Sequence, residues 1–308
     1  MGKTRQIRKR IGSVRNIHKI TRTMERVAQS KGMKLAGRYE SARTYRAGLQ
    51  RLLGEALGTA TDSDEAAFQV SQHPLGAPRT AIRHVLLFCI TSSRGLCGGY
   101  NAKVIHAARA RMTALRAEGK EPVLAVLGKK GLAYFRYHNQ PVAIAIPDAD
   151  ENMPFARMDE IATEVLALYT SAGVDAVEVI STHPVTKIVQ EVLRDAVLPL
   201  SKDNLTPQGQ KPAAPSVGAD GQPVYLIEPD RERVLATLLP LLVKAGLFCA
   251  DLEAMICEQA QRSVAMRSAS DNAQSMTQQL TQRYNRARQA QITNEMMEII
   301  SGSEGGRT

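Results

Sequence analysis

The sequence has no tryptophan, few other aromatic residues, and no proline before Pro74 or after Pro240. Aromatic residues make up 4% of its 308 positions, against 44% for all hydrophobic types, so any core must be mainly aliphatic. Proline inside a helix removes a hydrogen bond and clashes with the preceding turn. Its absence from both ends permits long, unbroken helices there, whereas the 14 prolines between these two positions predict shorter elements in the middle.

The sequence also lacks the common cysteine and membrane patterns. Its four cysteines, Cys89, Cys97, Cys249 and Cys257, form no C-x-x-C pair, and no histidine stands at zinc-like spacing. This favours a reduced, cytosolic setting without a metal site. We find no apolar run of the ~18 residues that a membrane helix needs, and no apolar signal core, so neither a membrane span nor an export signal is predicted.

Both proline-poor ends carry apolar and small residues at intervals of three and four. In the first helix these positions are Ile7, Ile11, Val14, Ile17, Ile20, Met24 and Val27. In the last they are Leu252, Met255, Met266, Ala269, Ala273, Met276, Leu280, Ala287, Ala290 and Met297. A repeat near ~3.5 residues keeps one face against a partner and predicts a left-handed supercoil. We therefore predict that the two ends pair as an antiparallel coiled coil within one chain.

The middle of the chain alternates short apolar runs with helical patterns. The sequence predicts strands at Val85–Ile90, Val123–Leu127, Val142–Ile146 and Ala176–Ser181, and one further strand over Thr186–Leu198 that extends the sheet. It predicts helices at Ala102–Ala117 and Met158–Thr170, and a short one after Gly128. Strand–helix alternation of this kind is typical of an α/β domain with a largely parallel sheet.

These patterns divide the chain into six segments. We predict an N-terminal coiled-coil helix at 1–57, a connector at 58–80, an α/β domain at 81–200, a flexible loop at 201–230, a C-terminal coiled-coil helix at 231–302 and a tail at 303–308. Pro240 is expected to kink or restart the last helix. The predicted fold class is α/β plus coiled coil, in which a Rossmann-like α/β domain is inserted between two long terminal helices.

The net charge of +10 is concentrated in the first helix. Residues 1–57 hold 15 lysines and arginines against three glutamates, a balance of +12, which leaves −2 for the rest of the chain. A basic stripe of this kind can meet nucleic acid, an anionic membrane or an acidic protein surface. It can equally be the solvated outer face of a coiled coil.

The glycine-rich segment Gly95–Gly99 stands between a predicted strand and a predicted helix, where phosphates often bind. It lacks the G-x-G-x-x-G pattern, and no P-loop lysine follows it. A tight strand-to-helix turn therefore explains it better than a nucleotide site. The six histidines are scattered, so the sequence predicts no catalytic, cofactor-binding or metal-binding residues.

Three segments together resemble a known family. These are Ile11–Lys31 in the first helix, Ser93–Asn101 after the first strand and Tyr284–Gly302 near the end; Glu258–Asn272 and Tyr225–Asp230 also match. In this order they resemble the gamma subunit of the F-type rotary ATP synthase, over the whole chain. The resemblance departs at Ser93, where the family usually has aspartate, and in the polar tail 303–308.

The resemblance implies a rotor and not a catalyst. In this family the terminal helices form a shaft inside a ring of alpha and beta subunits, and the beta subunits carry out the chemistry. The α/β domain lies against the epsilon subunit and the membrane ring of c subunits. The implied protein binds no cofactor and no nucleic acid, and it lies on the cytoplasmic face of the bacterial cell membrane as a peripheral subunit.

By motif position, the resemblance also implies which residues touch the ring. These coupling residues are Met24, Arg288, Gln289, Thr293, Glu295 and Glu298. Two other classes of function remain open from the residues alone. One is a nucleic-acid-binding coiled coil that uses the basic first helix, although it lacks the usual accompanying features. The other is a nucleotide-dependent enzyme built on the α/β domain, although it lacks the fingerprint.

Overall fold

The structure is a computed structural model that describes residues 2–57, 70, 72–77, 79, 81–186, 189–200, 228 and 230–305. Within these residues five helices are present: α1 Gly2–Ala56, α2 Tyr100–Ala117, α3 Lys129–Tyr137, α4 Phe155–Thr170 and α5 Arg231–Gly305. Five strands accompany them: β1 His84–Ile90, β2 Glu121–Leu127, β3 Ile144–Ile146, β4 Ala176–Pro184 and β5 Gln190–Leu198. The predicted connector and flexible loop lie largely outside the described residues.

The chain divides into two compact units. The helix-pair unit comprises Met1–Ser30 and Ala260–Thr308, and the sheet unit comprises Lys31–Gln259. Both α1 and α5 contribute residues to each unit. The six-segment division derived from the sequence stays a prediction.

The strands of the sheet unit form one five-stranded sheet in the order β3-β2-β1-β4-β5. Strand β1 pairs in parallel with β2 and with β4, and β2 pairs in parallel with β3. Strand β5 runs antiparallel beside β4. The predicted α/β domain with a largely parallel sheet is therefore confirmed. The further strand predicted over Thr186–Leu198 is present as β5, which begins at Gln190 and forms an antiparallel hairpin with β4 at one edge.

Central strand β1 is covered on both faces, which explains its continuous apolar run. Leu86, Phe88 and Ile90 belong to a core shared with α4 and α5. Val85, Leu87 and Cys89 alternate with them and pack against α2 and α3. Because side chains alternate between the two faces of a strand, a strand buried on both faces must be apolar at every position.

Helix α5 supplies much of the first of these cores. Leu239, Leu242 and Leu247 are buried there, and the helix continues through Pro240 without ending. Of the two outcomes predicted at Pro240, a kink or a restart, the restart does not occur, because packing of the flanking leucines against the sheet offsets the cost of one lost backbone hydrogen bond.

The same helix also overturns one expectation drawn from hydropathy. An 18-residue window within Glu232–Met297 has a mean hydropathy of 1.8, which by length and composition is enough to cross a membrane. The prediction that no stretch reaches this length is therefore wrong. Half of the window is buried inside the structure, as it is in the core helix of a globular protein.

The two helices of the helix-pair unit run antiparallel, as predicted. Near the start of α1, the Thr4 hydroxyl donates to Gln291 Oε1 at 2.8 Å. Farther along, His18 Nδ1 lies 3.0 Å from both the carbonyl oxygen and the hydroxyl of Ser270. As the residue number rises in α1 it falls in α5, which defines an antiparallel pair.

The buried seam of this pair differs in part from the predicted one. Ile17, Ile20 and Val27 of α1 are exposed, and so are Met276, Ala290 and Met297 of α5. The positions buried or half-buried in their place are small or polar: His18, Thr21, Ala28, Ser270, Thr277 and Gln291. Three successive steps of three residues turn a helix by about 900°, so Ile20 lies on the opposite side from buried Ile11.

Candidate functional site

The predicted coupling residues lie in the helix-pair unit, and most of them are accessible. Arg288, Gln289, Thr293 and Glu295 are exposed, and Met24 is half-buried. Position 298 lies within α5, but the side chain of Glu298 is outside the described residues. The structure leaves the four exposed side chains accessible to a partner, while the role of all six residues in coupling stays a prediction.

Two of these side chains are partly engaged within their own helix. The Thr293 hydroxyl donates to the Gln289 carbonyl oxygen at 3.0 Å, and Glu295 Oε1 accepts from Gln291 Nε2 at 2.8 Å. Gln291 also accepts from Thr4 across the pair, so Glu295 is linked through Gln291 to α1. This chain of bonds holds Glu295 in one orientation on the helix surface.

Large apolar side chains lie on the same stretch of α5. None of them was predicted to lie on the surface. Ile292, Met296 and Met297 are exposed, and every side chain from 292 to 297 is open to solvent. Three large apolar side chains on one exposed stretch of helix offer apolar surface to a partner protein. Met296 and Met297 follow Ile292 by four and five residues, a spacing that places the three on neighbouring parts of a helix surface. This signal was missed because Met297 was predicted to lie in the seam.

The basic side chains of α1 face outward in the helix-pair unit. Eight lysines and arginines are exposed between positions 5 and 26: Arg5, Arg8, Lys9, Arg10, Arg15, Lys19, Arg22 and Arg26. Among the described residues no salt bridge joins any of them to an acidic group. The stripe is therefore free to meet an acidic surface.

The glycine-rich turn after β1 is closed by its own hydrogen bonds. The Ser92 amide donates to Asn101 Oδ1 at 2.9 Å, and Asn101 Nδ2 donates to the Ser92 hydroxyl at 2.7 Å. Gly98 has a φ of 58°, which favours glycine, and Leu96 adopts a similar φ of 64°. This geometry supports the interpretation as a tight strand-to-helix turn.

Ser93 connects the turn to another segment through its hydroxyl. Its oxygen lies 2.7 Å from the Ala149 carbonyl oxygen and 3.2 Å from that of Pro147, so the hydroxyl acts as a donor. An ionised carboxylate has no proton to donate to a carbonyl. Serine at this position therefore links the turn to the segment after β3 in a way that an ionised aspartate would not.

A small cavity lies beside this turn in the sheet unit. Its volume is about 20 Å³, and it is lined in part by Thr91, Tyr100, Asp251 and Glu258. Asp251 is 1% exposed, and neither of its carboxyl oxygens has a hydrogen-bond partner among the described protein groups. Burial, together with the nearby charge of Glu258, raises the pKa of Asp251 to about 8. Sequence patterns gave no signal of this buried acid.

The structure does not assemble a metal centre from the residues that it describes. In that part of the chain no three histidine, cysteine, aspartate or glutamate side chains lie in an arrangement that could hold an ion. The four cysteines are buried and unpaired, and burial raises the pKa of Cys89 to about 12.

Comparisons with known proteins cover the whole chain. A family model described as ATP synthase matches residues 3–305. The ATP synthase gamma chain of Leptospira biflexa serovar Patoc is 33% identical over 304 residues, covering 99% of this chain and 99% of that protein. The ATP synthase gamma chain of Saccharopolyspora erythraea is 34% identical over 318 residues, covering 99% and 97%.

Two solved structures share the fold. A chain in the Euglena gracilis mitochondrial ATP synthase structure described as OSCP/F1/c-ring, rotational state 3, is 18% identical with a TM-score of 0.65, covering 99% of this chain and 94% of that one. A chain in the central stalk/c-ring structure of the Tetrahymena thermophila mitochondrial ATP synthase is 24% identical with a TM-score of 0.59, covering 82% and 99%. At these identities the likeness shows the fold.

Proposed function

The chain belongs to the ATP synthase gamma chain family, and on that premise we propose how it works as the central rotor shaft of an F-type ATP synthase. The helix-pair unit enters the ring of alpha and beta subunits, and the sheet unit meets the epsilon subunit and the ring of c subunits. Ion flow through the c ring turns the shaft. The asymmetry of the shaft then drives each beta subunit through its open and closed states.

One observation carries this proposal: the exposed stretch at the C-terminal end of α5. Polar residues Arg288, Gln289, Thr293 and Glu295 share this surface with Ile292, Met296 and Met297. An isolated soluble helix gains nothing from three exposed large apolar side chains, whereas a helix enclosed by a ring can bury them. We assign the ring contacts to Met24, Arg288, Gln289, Thr293, Glu295 and Glu298.

The basic stripe of α1 fits the same arrangement. Its exposed lysines and arginines would face acidic loops of the beta subunits, which gives the +12 segment a protein partner. Steering by such charges raises the rate of association more than the final affinity. We therefore place the stripe among the contacts that guide assembly.

We further propose that this subunit carries out no chemistry itself. ATP synthesis and hydrolysis belong to the beta subunits, and the gamma chain couples them to ion flow without a cofactor. The complex that contains it lies peripherally on the cytoplasmic face of the bacterial cell membrane. The division into terminal coiled-coil helices at 1–57 and 231–302 and an α/β domain at 81–200 belongs to the same proposal.

Reconstitution tests the proposal directly. The full chain is mixed with alpha and beta subunits, and the purified complex is assayed for ATP hydrolysis and for ATP-driven rotation of a bead attached to the sheet unit. We expect the chain to co-purify with the ring and to rotate. A chain that stays out of the ring, or that binds duplex DNA tightly at physiological salt, would overturn the rotor assignment.

A further inference from the structure

A polar network in the sheet unit joins both terminal helices to the sheet. Its centre is Glu253 of α5. One carboxyl oxygen of Glu253 accepts a hydrogen bond from the Tyr39 hydroxyl of α1, and the other lies 2.6 Å from His183 Nδ1 of β4. His183 Nε2 lies 3.1 Å from Asp195 Oδ2 of β5 and 2.9 Å from the Ser181 hydroxyl. Four elements therefore meet through one histidine and one glutamate.

The network is charged and partly shielded from water. The side chains of His183 and Glu253 are 19% and 17% exposed. Burial lowers the pKa of His183, but its bonds to Asp195 and Glu253 outweigh burial and raise it to about 9. Burial acts to raise the pKa of Glu253, but His183 and Tyr39 hold it below its usual range. At neutral pH the network therefore holds an imidazolium between two carboxylates.

The other ionisable groups around this network lie on the two helices and on β5, where Glu191 stands opposite His183 in the strand register. Arg46 of α1 lowers the pKa of Glu253. Arg43 of α1 and Cys249 of α5 face Tyr39, whose pKa is raised mainly by burial and by its bond to Glu253. As the pH rises above neutral, His183 is expected to lose its proton before Cys249 does. Burial raises the pKa of Cys249 to about 11, above the value of about 9 for His183.

Apolar packing of the helices on the sheet favours particular angles, with a scatter of about 15–20° in related helix packings. The hydrophobic effect itself is non-directional, so directional contacts narrow the angle further. Hydrogen bonds weaken steeply when their angles change. A few other directional contacts involve these helices: Lys31 with Glu151, Arg38 with the Met153 carbonyl, and Lys244 with Asp159. These reach α4 and the segment before it, whereas the network around Glu253 reaches the strands.

We propose that Glu253, held between Tyr39 and His183, is a torsional joint through which the sheet passes rotation to both terminal helices. The inference rests on the proposed rotor function. In a rotor driven from the c ring, torque that enters the sheet unit must reach α1 and α5 before it can act on the ring. Tyr39 and His183 are positioning residues in this joint, because they fix the orientation of the helices and touch no substrate.

Single-molecule rotation of the reconstituted complex tests the joint. The complex is stalled, and the angular fluctuations of a bead on the sheet unit report the torsional stiffness of the shaft. We expect His183→Gln and Glu253→Gln to lose stiffness and stall torque. Tyr39→Phe, which removes one hydroxyl and keeps the ring, should lose less. Glu160→Gln is the control, because it breaks an exposed pair with Arg157 inside α4 and leaves the joint intact.

A pH series in an Asp251→Asn background, where the buried acid no longer titrates, separates the joint from a general loss of stability. Between pH 7 and pH 10 the shaft that keeps His183 should soften as this histidine loses its proton, with a midpoint near the pKa of about 9. The His183→Gln shaft should be soft throughout. Amide exchange at residues 36–43 and 250–256 of the full chain should be about tenfold faster in this variant, the change expected for a lost bond of roughly 1.4 kcal/mol.

The outcomes distinguish this inference from the proposed function. If the wild-type chain assembles and rotates, but the three variants are as stiff as wild type at every pH, the joint is wrong and the rotor function stands. If the wild-type chain neither assembles nor rotates, the rotor function itself fails. Unchanged exchange in the folded His183→Gln chain would also overturn the joint.

Discussion

The two units of this chain are stabilised by different kinds of burial. In the sheet unit, β1 contributes six fully buried apolar residues to cores on both faces. In the helix-pair unit the seam contains Thr21, Ser270 and Ala273, and large apolar side chains such as Ile20 lie outside it. The sheet unit therefore has the core of a globular domain. The helix-pair unit has a thin seam and leaves apolar surface for a partner.

In the proposed rotor the helix-pair unit is the shaft, and the sheet unit is the foot that meets the c ring. The contrast between the two units fits these different positions. A shaft inside a ring must present its surface to other subunits, so it gains little from hiding its apolar residues. A foot that receives torque must keep its shape without such enclosure. We therefore expect substitutions in the apolar core of the sheet unit to affect mainly folding, and substitutions on the exposed surface of the helix-pair unit to affect mainly coupling.

The largest effect is expected in the sheet core. Phe88→Ala removes a fully buried ring from β1 and should lower the free energy of unfolding by about 3–5 kcal/mol. Urea unfolding of the full chain, followed by circular dichroism, measures this change. Tyr137→Ala is the control, because that ring is 84% exposed and its loss should cost less than about 0.5 kcal/mol. Equal costs at both positions would contradict the two-sided core.

The next effect is expected in the seam of the helix-pair unit. Ala273→Pro interrupts α5 at a buried position and should cost roughly 3 kcal/mol of helix stability. We expect ATP-driven rotation to fail, while amide exchange in β1 and β2 stays slow. Ala273→Ser, which keeps the helix, should cost only about 0.5 kcal/mol. Rotation at wild-type torque by a folded Ala273→Pro complex would refute a shaft that depends on a continuous α5.

A smaller effect, an increase in the free energy of unfolding, is expected when Asp251 is replaced by asparagine. Its raised pKa means that the folded chain binds a proton that the unfolded chain releases, so this group makes stability fall as pH rises from about 4 to about 8. Asp251→Asn removes that dependence and should stabilise the chain by about 1–3 kcal/mol at pH 8.5.

The matched control for Asp251 is Asp159→Asn on α4. Asp159 is paired with Lys244 at 2.8 Å, so removing its charge should destabilise the chain slightly. Urea unfolding at pH 5, 7 and 8.5 checks both variants. Parallel stability curves for wild type and Asp251→Asn would show that the buried carboxyl does not titrate as argued.

The smallest effect on stability, combined with a clear effect on function, is expected at Thr293. Its side chain is exposed, so Thr293→Val should change the free energy of unfolding by less than about 0.5 kcal/mol. Coupling between ATP hydrolysis and rotation should nevertheless weaken, because a lost hydrogen bond to the ring is worth about 1 kcal/mol. Thr281→Val is the control: this hydroxyl also bonds its own helix, at 2.8 Å, and is not a predicted contact. Equal coupling in both variants would remove Thr293 from the contact surface.

The secondary structure could be predicted from sequence to within a few residues, because each element has a local signal. A strand buried on both faces must be apolar throughout, and β1 is. A long helix usually lacks interior proline. Pro240 lies inside α5 nevertheless, because packing against the sheet stabilises the helix around it. The predicted third strand began at Val142, but β3 spans only Ile144–Ile146, because element ends depend on pairing with a neighbour.

The seam of the helix pair could be predicted only in part. Hydrophobicity identified Ile11 and Met266 correctly, and both are buried. It failed at Ile17 and Ile20, because a seam built from serine, threonine and alanine carries little hydrophobic signal. Because the two exposed isoleucines were included, the predicted seam deviated from the buried face of the helix. An exposed apolar residue can be covered by a partner subunit, and the sequence of one chain carries no information about the surface of that partner.

The sequence by itself determined the element order, the basic first helix and the motifs that place the chain in its family, because these depend on local periodicity, charge and spacing. Only the tertiary structure decided the strand order, the antiparallel edge strand and the meeting of Tyr39, His183 and Glu253. Residues so far apart in the chain share no periodicity. Their pKa values and contacts follow from burial and distance, and these exist only once the helices have packed against the sheet.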